Sequence, residues 1–449
     1  MAKILIHTLG SSGDFNPFMA LALELRRRGH DVQWAVSPKF ADKARAQGFE
    51  ATVAGVDPEW ESDLLRRMLT AHLTAPVQIM FKEVLIPAIV PATLALEPLA
   101  REVDLFLSHT IQLAAPAVAD RTGTPWVSAS AATLIHETAA YPPPGVAWKG
   151  CPAWLSWLGW EAGYRIFGDF DALAGAEYRK LGVAPRPNVV SGGAYSRRLT
   201  LGLWSPSFFP RPPDWPRWFQ VGGYARWDGE APLAPAPIDG GGAGNRIPAD
   251  KSATLPSEGR DRPGTNVNGP GIGSSPASPR ILFTLGSSVV NHPGEFWATA
   301  LEALTRTDWN AVLLGAPQAL PLPRDLRGRV QIISYAPYAE LFPQADAIVH
   351  QGGVGTTQAA CYYGIPSLIV PRGFDQFENA AHIQREGWGL RLMPADFSAT
   401  SLRLRLRRLL DSARIRAAAA GLGERMQAEP GVARSADLVE AALGRERKP

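Results

Sequence analysis

The stretch that most constrains what this chain can fold into is Ala347 to Ala380, AIVHQGGVGTTQAACYYGIPSLIVPRGFDQFENA. It reads as strand, glycine-rich turn, helix, strand and polar loop. Four apolar or β-favouring residues end at His350, a turn on Gly352, Gly353 and Gly355 follows, and Thr356 and Thr357 stand where they can cap a helix. Such a turn exposes backbone N–H groups, and a helix start adds partial positive charge that favours an anion by roughly 0.3 to 2 kcal/mol. His350 at the strand end points to the same place. A tight βα turn with a satisfied core histidine is the plainer reading. Phosphate binding outweighs it, because histidine, glycines and threonines converge where α/β sheets hold ligands.

At 449 residues and 46% hydrophobic content, the chain exceeds what one core usually supports, so two domains are expected. The net charge of +3 gives no argument for a nucleic-acid partner. A pI near 8.9 leaves room for weak attraction to a membrane surface. Cys151 and Cys361 are far apart and have no metal-ligand spacing, which fits a reduced compartment without structural zinc. The opening residues MAKILIHTLGSS lack a signal-peptide pattern, and the apolar run Val84 to Ala100 is broken by Pro87, Pro91, Glu97 and Pro98. A cytoplasmic protein without a membrane span is the expectation.

From the start, Lys3–Leu9 reads as a buried strand, Gly10–Gly13 as a turn, Pro17–Gly29 as a helix and Asp31–Val36 as a second strand. The alternation resumes at Asp104–Ser108, Ala114–Gly123 and Pro125–Ala129, so residues 1–228 are expected to form one open α/β domain. Trp148 to Trp227 is dense in tryptophan, which suits core packing and an aromatic acceptor pocket or membrane-facing lip equally. Residues 229–279, rich in Gly, Pro and Ser, read as a flexible linker. At Arg280 the pattern restarts: TLGSS at Thr8–Ser12 recurs at Thr284–Ser288, each copy closing an apolar strand, so a second similar domain is expected over 280–449. The run LRLRLRRLL from Leu402 reads as a terminal helix turning its leucines inward.

Several residues could carry chemistry. Ser287 follows the first strand of the second domain and would meet the His350 turn at the sheet edge. Tyr335 and Ala336 follow another strand, where a ring can stack on a base while the backbone reads its edge. Asp375 and Gln376 lie in a loop after a strand, a carboxylate beside an amide that suits sugar hydroxyls and equally an ordinary helix cap. In the first domain, Asp14 sits in the turn after a strand, where a bare Asp is more often an Asx cap than a base; its place opposite the nucleotide turn favours the base, and His109 emerges from the same sheet edge. Together they can handle a proton, worth typically 10² to 10⁴ in rate. Asp169 and Asp171 form a DxD pair within a helical stretch and read as a solvated face or cap, so no metal is called for. Charge on a diphosphate would instead be met by the helix start, His350 and hydroxyl groups.

With these residues in place, the chain resembles the GT-B glycosyltransferases, in particular the sterol glucosyltransferases and the rhamnosyltransferases of rhamnolipid synthesis. The likeness rests on GSSGDFNPFMALALELRRRGHDV, SPSFFPRPPDWP, YAPYAEL, HQGGVGT and DQFENA. It implies two facing Rossmann-like domains with the last helix returning to the first, and inverting transfer of a sugar from a UDP or dTDP donor to a small lipophilic hydroxyl acceptor, without metal or cofactor. By the same resemblance, His350 contacts the diphosphate with Gly352, Gly353, Gly355, Thr356 and Ser287; Tyr335 stacks on the base and Ala336 reads its edge; Asp375 and Gln376 hold the sugar. Tyr338 stands where many plant members have a ribose-binding glutamine. Asp14 matches the general base, and His109 stands where plant-type members place the aspartate that orients a histidine, a reversed dyad. An epimerase acting on the donor alone, or a silent binding protein on the same scaffold, are the alternatives.

Overall fold

The structure, a computed structural model, describes residues 1–54, 63–70, 75–133, 136–141, 152–190, 192–227, 278–286, 289–290 and 292–444. The expected linker up to residue 277 lies outside them, as do Trp148, Cys151, Ser287 and Ser288. The first sheet holds β1 (Lys3–His7), β2 (Asp31–Val36), β3 (Glu50–Val53), β4 (Leu105–His109), β5 (Trp126–Ser130), β6 (Thr200–Gly202) and β7 (Phe219–Val221) in the order β3-β2-β1-β4-β5-β6-β7. The second holds β8 (Arg280–Thr284), β9 (Asn310–Leu314), β10 (Val330–Ile333), β11 (Ala347–His350), β12 (Ser367–Ile369) and β13 (Gly389–Arg391) in the order β10-β9-β8-β11-β12-β13. All pairs are parallel, and intervening helices cover the faces, so the strands are short apolar runs buried on both sides. These are two α/β domains of the same construction.

In each sheet the strand order reverses beside the first strand, between β1 and β4 and between β8 and β11. Ligands in open α/β sheets bind outside the carboxyl ends at such points. Register pairs His7 with Ser108 and Thr284 with His350, which brings the paired strand ends level. Asp14 and His109 therefore flank one switch point, and His350 stands at the other.

The first helix spans Ser12–Arg27, starting five residues before the expected Pro17. Ser11 caps it: its hydroxyl accepts from the Gly13 N–H at 3.2 Å, while Asp14 Oδ2 accepts from the Ser11 N–H at 2.8 Å, a reciprocal capping box. Pro17 is accommodated inside the helix rather than at its start. Asp14 is thus in the helix, not in a turn. Gly10, at φ 111°, is required there, since a Cβ on it would lie 2.4 Å from Asp14 Oδ2.

The last helix, Val432–Leu443, leaves the second domain and buries Ala436, Val439 and Ala442 in the core of the first. Arg28 clamps it with ion pairs to Asp437 and Glu440. At this crossing the backbones nearly touch. A Cβ on Gly223 would come within 2.3 Å of the Gly431 carbonyl oxygen, and one on Gly222 would strike Ser435.

A further core joins the two domains. Trp204, Phe208, Phe209, Trp215 and Phe219 from the first interleave with Ile369, Ile383, Trp388, Leu422 and Met426 from the second. The SPSFFPRPPDWP segment forms much of this seam. The Ser205 N–H donates to Gln358 Oε1, the Ser205 hydroxyl and Ser207 N–H to Glu429 Oε1, and His382 Nε2–H to the Phe208 carbonyl at 2.7 Å. Asp214 in turn accepts from Thr138 and Ala139 and fixes the chain beyond β5. The tryptophans divide accordingly: Trp160, Trp204 and Trp215 are core, whereas Trp154 and Trp157 on the helix Ala153–Ile166 are exposed. Among the described residues no single helix is long and apolar enough to cross a membrane.

Candidate active site

The donor half is built on β11 and the helix Val354–Tyr362. Gly352 turns the chain at φ 92°, and a Cβ there would lie 2.6 Å from the Ile369 side chain, so no other residue fits without displacing β12. Gly353 is the N-cap and offers no side-chain bond. Thr356 and Thr357 do not cap the helix, contrary to the sequence expectation, because they fall inside its first turns. Thr357 donates to the Gly353 carbonyl, and the Thr356 hydroxyl is bonded to that of Tyr338 at 3.1 Å. No hydroxyl of the helix's own sequence therefore caps its start; the Val354 N–H is taken by the Asp375 carboxylate, and an anion would be met by the N–H groups that follow it.

His350 is fully buried, and its Nδ1 accepts from the Gly352 N–H at 3.0 Å, so the proton of the neutral ring is on Nε2. That Nε2 has no partner among the described residues. Burial pushes the His350 pKa down to about 3. The ring is consequently neutral at working pH, which corrects the expectation that it offsets charge: it has one hydrogen bond to give, not a positive charge.

Asp375 precedes the helix Gln376–Glu386. Burial, and then the charge of Asp14 across the cleft, raise its pKa to about 6, opposed by Asn379 and by the backbone N–H groups of Asp375 and Val354. Asn379 Nδ2 donates both to Asp375 Oδ2 and to the Gly352 carbonyl, each at 2.9 Å, locking the two donor loops together. Gln376 is narrower in use than expected. Its Oε1 already accepts the Arg372 and Gly373 N–H groups, which leaves its Nε2 for any ligand. Tyr335 is 46% exposed beside Ala336 after β10, and this loop is tied to the Val354 helix through the Tyr338–Thr356 contact. Ser287 lies outside the described residues.

On the other wall, Asp14 Oδ2 is held by Ser11, and Oδ1 lies 3.5 Å from His109 Nε2. His109 Nδ1 accepts from the Ile111 N–H at 3.2 Å, so its Nε2 carries the proton and faces the carboxylate. The walls meet closely: a Cβ on Gly355 would lie 4.0 Å from the Gly13 Cα. Leu9 and Ile111, flanking the dyad, share an apolar cluster with Val77, Met80 and Phe167. Asp169 pairs with Lys82, and Asp171 accepts the Asn188 and Val189 N–H groups, so both serve the fold. No group of three His, Cys, Asp or Glu residues among those described is placed to hold a metal ion.

Sequence reasoning found Asp14, His109, His350 and Asp375, which the structure gathers on the two walls of one cleft. It missed Asn379 and Ser11. Both had a signal, Asn379 within the DQFEN run and Ser11 three residues before an acidic residue at a helix start.

Residues 4–91 match the glycosyltransferase family 28 N-terminal domain, and residues 298–441 match the erythromycin biosynthesis protein CIII-like C-terminal domain. The sterol 3-beta-glucosyltransferase UGT80B1 of Arabidopsis thaliana is 26% identical over 98% of this chain and 68% of its own length. The O-mycaminosyltylonolide 6-deoxyallosyltransferase of Streptomyces fradiae is 26% identical over 98% of this chain and 97% of its own. Among solved structures, the glycosyltransferase VinC in complex with dTDP superposes with a TM-score of 0.66 at 20% identity, covering 98% of this chain and 99% of that one. The glycosyltransferase domain matched over the first sheet, sugar-transferring relatives aligned along nearly the whole chain and the two α/β domains together identify the chain as a glycosyltransferase of the GT-B fold.

Proposed function

We propose that the chain transfers a sugar, with inversion, from a UDP or dTDP sugar to a hydroxyl of a small lipophilic acceptor. The observation that carries this reading is the opposition of two groups across the cleft: Asp14 Oδ1 on one wall and, on the other, the unpartnered His350 Nε2–H beside a helix start whose N-cap glycine supplies no side chain. Asp14 takes the acceptor proton as the acceptor oxygen attacks the anomeric carbon. The bond from that carbon to the diphosphate oxygen breaks, and its electron pair leaves with the nucleotide. His350 and the Val354 helix start stabilise the oxygen that gains charge. His109, carrying its proton on Nε2, faces Asp14 Oδ1 at 3.5 Å without a hydrogen bond and orients it by that approach; in this state it cannot itself accept the acceptor proton. Asp375 and the Gln376 amide take the sugar, and Tyr335 with Ala336 takes the base. Donor charge is met without a metal in this reading.

The apolar acceptor is supported by the partly buried cluster that Leu9 and Ile111, the chain neighbours of the dyad, share with Val77, Met80 and Phe167, and by the sterol and tylonolide named for the two relatives. The dTDP named with VinC makes thymidine donors the first to try beside uridine donors. The test is a thermal-shift screen of both donor classes, then mass spectrometry with a sterol and macrolide panel and with Asp14→Asn. Product with the native chain and a loss of roughly 10³-fold in kcat with Asp14→Asn, donor affinity unchanged, is expected. Isomerised donor without acceptor would overturn transfer, and full turnover of Asp14→Asn would overturn the base.

A further inference from the structure

We propose that His7 and Gln112 are positioning residues that hold His109 in its Nε2–H form facing Asp14; this rests on the proton-handling reading of that pair. His7 is the last residue of β1, in register with Ala35 on one side and Ser108 on the other, and it is 1% exposed. Its Nδ1–H donates to the Ala35 carbonyl, which leaves Nε2 as an acceptor. Gln112 Nε2 donates to that nitrogen at 2.6 Å across 105 residues of sequence. The other end of the amide is fixed as well, since Gln112 Oε1 accepts from the Ala114 N–H at 3.1 Å. Gln112 also donates its own N–H to the His109 carbonyl at 3.0 Å.

The turn from His109 to Ala114 is therefore anchored to the end of β1, the neighbour of its own strand β4. Within that turn lies the Ile111 N–H, the group that occupies His109 Nδ1 and so decides which nitrogen of His109 carries the proton. Phe18 lies against the His109 ring, with ring centroids 5.8 Å apart. The groups facing His109 are thus Asp14 and Phe18 from the first helix and His7 from β1; Asp375 faces Asp14 from the other domain. A fully buried histidine–glutamine pair is costly where aliphatic residues would pack, and is tolerated because both ring nitrogens are satisfied. Burial drives the His7 pKa down to about 4, with the backbone bond to Ala35 opposing and His109 adding to the fall, so His7 stays an acceptor for Gln112 at working pH.

Without that anchor the Ile111 N–H drifts from Nδ1 and the tautomer is no longer dictated. An Nε2 lone pair would then face the cleft and compete with Asp14 for the acceptor proton. The test uses the full chain. Gln112→Leu, close in volume, is expected to lower kcat by roughly 10-fold with donor KM within about twofold. It should also shift the acid limb of the kcat/KM profile by roughly half a pH unit. In ¹⁵N-histidine NMR, His109 should change from one Nε2–H tautomer to a mixture. Gln112→Glu, which keeps an acceptor for Ala114 and can pair with a protonated His7, should restore the single tautomer and part of the rate toward lower pH. An unchanged pH profile with a single tautomer in Gln112→Leu, whatever happens to its melting temperature, would overturn the proposal and reduce the pair to core packing. A mixed tautomer with undiminished turnover would instead uphold the positioning role and remove His109 from the reaction.

Discussion

The units β1–first helix and β11–Val354 helix are the same device finished in two ways. Each strand ends in a buried histidine whose pKa burial lowers, His7 and His350, and each turn uses a left-handed glycine, Gly10 and Gly352. In the first unit everything is closed from within: both His7 nitrogens are bonded and Ser11 with Asp14 caps the helix. The cap presents a carboxylate outward, so this helix start faces the cleft as a negative group. In the second unit the ring keeps a proton to give and Gly353 supplies no side-chain cap; the carboxylate at this start, Asp375 on the Val354 N–H, comes from another loop, so the unit itself offers the cleft only donors. Local completeness makes a base; local incompleteness makes an anion site.

Finishing the second unit like the first should break it. Gly353 has an ordinary φ of −58°, and a Cβ there meets only the Gln351 amide nitrogen at 2.9 Å, which must shift slightly against the bond its oxygen accepts from the Gly286 N–H. Gly353→Asp is therefore expected to fold, to gain roughly 0.5 to 1 kcal/mol from the cap, and to lose donor affinity by about 100-fold or more, read by calorimetry with UDP and dTDP. Retained affinity would deny the helix start its role. His350→Ala removes the single donated bond and should weaken donor binding by roughly 10- to 100-fold while lowering turnover; normal affinity would contradict the phosphate contact.

The carboxylates that face one another give a pH test. The folded Asp375 pKa of about 6 lies above its usual value, so the native state holds the extra proton between these values and stability falls as pH rises through that window. Asp375→Asn should raise the melting temperature at pH 8 by roughly 2 to 4 °C, with the gain shrinking as pH is lowered through 6 and gone below the ordinary carboxylate range. A gain independent of pH would rule out the Asp14–Asp375 repulsion. The smallest effect is expected from opening the first unit: Ser11→Ala should cost about 1 kcal/mol in urea melts and loosen Asp14, seen as lower kcat with unchanged donor affinity.

The second unit was largely legible in the sequence because its parts lie within thirty-odd residues and its glycines announce a turn. The first was harder. Pro17 suggested a helix start, since proline favours the first helical position, yet the Ser11–Asp14 cap set the start five residues earlier. The paired threonines looked like caps by type, but the glycine turn had already fixed the N-cap before them. What the sequence could not show is long-range: His7 with Gln112, the charge of Asp14 on Asp375, and the binding of SPSFFPRPPDWP to Gln358, His382 and Glu429. Each depends on strand order rather than on neighbours in the chain. The neutrality of His350 is likewise a matter of burial, which no motif states.

The backbone approach of Gly222 and Gly223 to Gly431 and Ser435 has a mechanical meaning. The last helix turns back to the first domain at this contact, and the cleft residues lie at the sheet edges. Bulk added at Gly223 would act as a wedge under Gly431, prising the last helix from its seat on the first domain while leaving the cleft residues themselves unchanged.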